Sequence, residues 1–140
     1  MNITKIDQPK YILFFVRLAL GFAFLSAVAD RFGLWGQPGM SNVAWGDFKA
    51  FEAYVSYLNP YLSGTVLSIV SWGVTLLEIV LGVLLIFGIK LEQTAFISAV
   101  LLLSFALSMS IVMGIKVPFD YSVFSASAGA FLLYLFVREK

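Results

Sequence analysis

The chain has 140 residues, a net charge of +1, 61% hydrophobic and only 12% charged residues, and a mean hydropathy of +0.95. Soluble domains hold about 45–50% apolar and about 25% charged residues, so too few polar side chains exist to coat a soluble globule and the surface must face lipid. There is no basic run for nucleic acid, no room beyond a single domain over residues 1–140 for a separate catalytic head, and no cysteine or histidine for thiol–disulfide exchange, zinc, haem ligation or imidazole acid–base work.

The first long apolar stretch is residues 11–29, interrupted only by Arg17. Stretches of about 17–25 residues, at 1.5 Å each, cross a hydrocarbon core of ~30 Å as helices. A basic start, apolar residues 18–25 and Ala27-Val28-Ala29 imitate a secretory signal with its cleavage site; we read the segment as an intact first helix. Asn2-Ile3-Thr4 matches a glycosylation acceptor and carries no meaning at a cytoplasmic terminus.

Residues 30–63 form a long connection that opens with the Gly- and Pro-containing stretch 33–39. Trp45, Phe48, Phe51, Val55 and Leu58 then recur at three- to four-residue steps, with Asp47, Lys49 and Glu52 on other faces. That spacing predicts an amphipathic helix lying in the membrane interface, and Asn59-Pro60 stops it. Trp35, Trp45, Phe48 and Phe51 are the candidate docking residues of this loop.

The second span, residues 65–89, carries only Glu78, and the polar turn 88–92 leads into an uncharged third span, 94–115. Gly114 and Pro118 end it, and residues 121–137 form the last, uncharged span. The expected fold is thus all-α: an integral membrane four-helix bundle with an interfacial amphipathic helix in the first loop. Ser122, Ala126 and Ala130, Ser125 and Gly129, and Ser104 and Ser108 form small-residue stripes that allow close packing or mark a dimer face. Lys5, Lys10, Lys90, Arg138 and Lys140 gather on one side, near Arg17, with Arg31, Lys49 and Lys116 opposite. The positive-inside rule then places both termini in the cytoplasm.

Charges at membrane depth cost about 2.5–3.5 kcal/mol each on insertion scales and turn inward. Arg17 lies roughly 9 Å and Glu78 roughly 16 Å from the same side, which suggests a buried Arg17–Glu78 pair. Each precedes a glycine by four residues, Gly21 and Gly82, so each shares its helix face with a site of close approach. Two readings of the pair stand: a structural ion pair fixing helix register, or a polar site that binds a ligand or relays protons. Asp30, Arg31, Lys116 and Asp120 fall near one depth at the outer side. They are read either as a helix cap and solvated charges or as a ligand-facing cluster. The carboxylates are too scattered for a metal site, and Ser104 or Ser125 has no histidine to activate it.

Arg17-x-x-x-Gly21, the Asp30-Arg31-Phe32-Gly33 exit, Leu58-Asn59-Pro60-Tyr61, Glu78-x-x-x-Gly82 with Gly88, and Gly114 followed by Pro118-Phe119-Asp120-Tyr121 together resemble the DoxX-like family of small bacterial four-helix membrane proteins. The resemblance covers nearly the whole chain. It implies a membrane redox subunit, since the family name comes from a subunit of a thiosulfate:quinone oxidoreductase, with Arg17, Glu78 and Asp120 as the polar positions. The lack of cysteine and histidine argues against family roles that handle disulfides or haem. The function expected is therefore a subunit that associates non-covalently with a quinone or similar lipophile, beside a redox partner protein or a second copy. The alternative is a non-catalytic structural or assembly subunit that binds a partner through residues 30–63. A small solute or proton transporter built on Glu78 comes third. None of these assigns the chain catalysis of its own.

Overall fold

Apolar runs bounded by glycine and proline fold as helices because each backbone group must find its partner within the segment once water is excluded. The computed structural model describes residues 10–140, in which six helices and no strand are found: α1 Lys10–Arg31, α2 Phe48–Leu58, α3 Gly64–Phe87, α4 Leu91–Met113, α5 Lys116–Asp120 and α6 Val123–Arg138. Lys5 and Asn2-Ile3-Thr4 lie outside the described residues. Helices α1, α3 and α4 are each long and apolar enough to cross a membrane, and α6 is a shorter apolar helix of 16 residues. It starts later than expected because Ser122 takes a left-handed φ of 56° and residues 116–120 turn separately as α5. Helix α3 stops at Gly88, whose φ of 70° lets its N–H reach the Leu84 and Leu85 carbonyls.

Two helix contacts dominate, α1 on α3 and α4 on α6. At the first, Gly21 faces Gly82: a Cβ on Gly21 would stand 2.9 Å from the Gly82 carbonyl oxygen and 2.7 Å from the Ile86 side chain. The backbones therefore meet where the two charge-to-glycine spacings placed them. At the second, Ala95, Ala99 and Ala130 are fully buried, and the Ser127 hydroxyl donates to the Ala99 carbonyl at 2.8 Å. Ala126 and Ala130 of the expected stripes turn inward, whereas Ser104, Ser122 and Ser125 are exposed. Leu20, Phe24, Leu81, Leu85 and Leu133 join the alanines in one core. Much larger apolar side chains, among them Phe15, Phe22, Phe87 and Ile111, point outward, as they do in a protein whose solvent is lipid. The chain is a multi-pass membrane protein.

Lys10 at the start of α1 and Lys140 after α6 line one groove, so the chain returns to the end at which α1 begins. The loop 32–47 and α2 form a cap over the other end. Asp47 caps α2, accepting from the Ala50 N–H at 2.7 Å. The apolar stripe of α2 was expected to meet the membrane interface. Instead Phe51 and Val55 are buried, and α2 packs on α3 and α4. An amphipathic period reveals an apolar face but not whether protein or lipid covers it.

Candidate functional site

Ser71, Thr75 and Glu78 follow one another by four and three residues, which sets them on one face of α3. All three are buried, and so is Arg31 at the end of α1. Glu78 forms an ion pair with Arg31, not with Arg17. The same Arg31 Nη1 donates to Thr75 Oγ1 at 2.8 Å, and that hydroxyl donates onward to the Ser71 carbonyl at 2.8 Å. The guanidinium carbon lies 3.7 Å from the centroid of the Phe51 ring and 5.3 Å from that of Trp45, where the negative ring faces favour a cation. Glu78, Thr75 and two aromatic rings thus enclose a charge that would otherwise be expensive at this depth.

Asp30, one residue earlier, is also buried and points into the cap. Its Oδ2 accepts from the Ala44 N–H at 2.9 Å, and its Oδ1 accepts from Trp45 at 2.7 Å and Gly46 at 3.0 Å. Three successive amides converging on a carboxylate make an anion nest, and the nest ties the loop to the end of α1. Gly46 makes it possible: its φ is 78°, and a Cβ there would lie 2.3 Å from the Pro38 nitrogen. Gly46→Ala is expected to cost about 2–5 kcal/mol, from left-handed strain and a backbone collision together. Unfolding in detergent micelles reads this directly. Gly39→Ala is the control, because Gly39 has a φ of 85° but no neighbour within 4 Å of a Cβ, and it should cost only the strain of about 1–2 kcal/mol.

The aromatic residues expected to dock a partner mostly build this cap. Phe48 stacks on Trp72 of α3 at 4.2 Å between centroids, and Trp45 meets Phe51 edge-on at 5.1 Å. Such pairs add to burial and stiffen the loop. Burial, with a contribution from Tyr121, pushes the Tyr54 hydroxyl above its ordinary range, so it stays protonated. Only Trp35 of the four faces outward, and its indole N–H turns back to Ser26 Oγ and the Ser26 carbonyl, both at 3.1 Å. Leu34 and Met40, which no periodic apolar pattern marks, are exposed at 76% and 56%.

Arg17 serves the other end of the molecule. Its Nε donates to the Leu85 carbonyl at 3.0 Å and its Nη2 to the Ile86 carbonyl at 2.9 Å. The Ile86 carbonyl is one of those a helix C-terminus leaves open, and the Leu85 carbonyl is shared with the Gly88 N–H. Asp120 pairs with Lys116 at 2.5 Å on an exposed turn, while Asp30 and Arg31 are buried, so the expected cluster at one depth divides into two unrelated parts. Asp120 does not cap α6, whose N-cap is Ser122. Among the described residues, no group of His, Cys, Asp or Glu could hold a metal ion.

The family model of the methylamine utilisation protein MauE matches residues 9–120, from the start of α1 through α5. Comparison with curated proteins and with solved structures gave no match. The family match overturns the DoxX-like resemblance. A charge four residues before a glycine serves any membrane helix pair that must bury an ionic group beside a close contact, so such spacings mark the packing rather than the family. The redox-subunit role inferred from that resemblance loses this support.

Proposed function

The chain belongs to the MauE family, and from that premise we propose that it is a non-catalytic membrane subunit of a methylamine utilisation system whose rigid outer cap docks a partner protein of that system. In this reading its four apolar helices form a bundle in the bacterial inner membrane, with both termini cytoplasmic. The excess of lysine and arginine at the end that holds Lys10, Lys90, Arg138 and Lys140 supports that orientation. One observation carries the proposal: the buried ionic groups Asp30, Arg31 and Glu78 are committed to holding the cap in place. The cap in turn presents Leu34, Trp35 and Met40 to the outside. In cells lacking their own copy, the wild-type chain is expected to restore growth on methylamine. The exposed-surface variant Leu34→Ser/Met40→Ser should fail to do so at an equal amount of folded protein in the membrane. Equal growth with both would count against docking through the cap.

A different observation favours a second reading, association with a quinone or a similar lipophile. Arg31 Nε and Ser71 Oγ are buried and make no hydrogen bond among the described residues, and a ligand carbonyl would satisfy either donor. Phe51 and Trp45 lie over Arg31, so entry requires the cap to lift. Quinone co-purifying with the wild type and lost in Ser71→Ala would favour this reading over the first.

A further inference from the structure

We propose that the groove at the end opposite the cap binds an anionic phospholipid, with its phosphate between Lys10 and Lys140 and the upper part of an acyl chain on the apolar floor. The floor is Leu13, Phe14, Leu91 and Val137, and the lysines rim it from the start of α1 and just after α6, with Arg17 also lining it. The residues are layered as an amphiphile is. Lys10 begins α1, Leu13 and Phe14 come next, and Arg17 lies about 10 Å further along the axis. Lys10 and Lys140 therefore rim the groove above the apolar Leu13 and Phe14, and Arg17 beneath them is committed to the end of α3. Arg17 is held in place by its bonds to the Leu85 and Ile86 carbonyls and by the Phe14 ring, 5.6 Å from its guanidinium carbon. Arg138 does not line the groove; its Nη1 donates to the Tyr134 hydroxyl at 2.9 Å.

The charge of the whole end agrees. Among the described residues, Lys10, Arg17, Lys90, Arg138 and Lys140 face only Glu92 and Glu139 there, whereas Asp47, Glu52 and Asp120 offset Lys49 and Lys116 at the cap end. Basic pockets between membrane helices recognise lipid phosphates in this way, at about fivefold in affinity for each lysine near the surface. A free phosphate ion shares the headgroup chemistry but gains nothing from the floor.

The test is native mass spectrometry of the full chain equilibrated with equal amounts of phosphatidylglycerol and phosphatidylcholine. Phosphatidylglycerol is expected to be retained roughly twentyfold over phosphatidylcholine, with the preference falling about fivefold in Lys10→Gln and in Lys140→Gln, and to near parity in the double variant. Both lysines are exposed, so these variants keep the fold. Lys116→Gln, at the cap end, should keep the full preference, and a large excess of inorganic phosphate should leave the lipid bound. Equal retention of the two lipids, an equal loss in Lys116→Gln, or displacement by inorganic phosphate would each overturn the proposal. Neither the docking nor the quinone reading enters this test.

Discussion

Glu78→Ala is expected to destabilise the folded chain by about 3–5 kcal/mol, the cost of leaving one member of a buried ion pair without the other. Arg31 and Glu78 are each only 2% exposed, so water cannot take over the lost contact. Thr75 and the Phe51 and Trp45 rings remain around the guanidinium, but none carries a compensating charge. Unfolding of the purified protein in micelles measures the loss. Arg31→Met/Glu78→Leu removes both charges and keeps apolar volume under the two rings, and it should recover most of the stability. If Glu78→Ala matches the wild type, or the double variant is no better than the single one, the buried pair does not stabilise the fold.

Asp30→Ala should act locally. Three amides lose one shared acceptor, at about 1–3 kcal/mol for each group left unsatisfied and less where water enters, for a net cost of about 2–4 kcal/mol. Helices α1, α3 and α4 keep their own backbone bonds and the Gly21–Gly82 contact, so the expected outcome is an open cap on an intact membrane portion. Limited proteolysis reads this as new cleavage within residues 32–47, with Asp30→Asn intermediate because one carboxamide oxygen still accepts. An unchanged cleavage pattern in Asp30→Ala would show that the nest does not hold the loop.

The helices were legible because lipid leaves a chain few alternatives, and because Gly88, Gly114 and Pro118 punctuate the apolar runs. The close approach at Gly21 and Gly82 was legible too, as spacing on a helix face. The partner of Glu78 was not. Depth along the axis brings Arg17 within reach of Glu78 but says nothing of competing acceptors, and the carbonyls of Leu85 and Ile86 at the end of α3 lie closer to it. Arg31 looked solvated because it ends its helix. In fact a long side chain can reach back into the core, and the Ser71, Thr75 and Glu78 face of α3 was a signal that a polar partner was needed there. The nest around Asp30 left almost no trace: its donors lie 14 to 16 residues downstream, and only Gly46 hinted that the backbone must take an unusual turn. For α2, periodicity gave the apolar face but could not distinguish lipid from α3 as its cover.

Whether buried charge fixes the cap is best measured by hydrogen exchange at the amides of Ala44, Trp45 and Gly46 in the solubilised protein. Bound to Asp30, they should exchange slowly, at rates like those inside α2, and Asp30→Ala should release them to the rate of the open loop at Gly39. Wild-type amides that already exchange at that open-loop rate would mean the cap is not held by Asp30, and the docking surface proposed for it would lose its foundation.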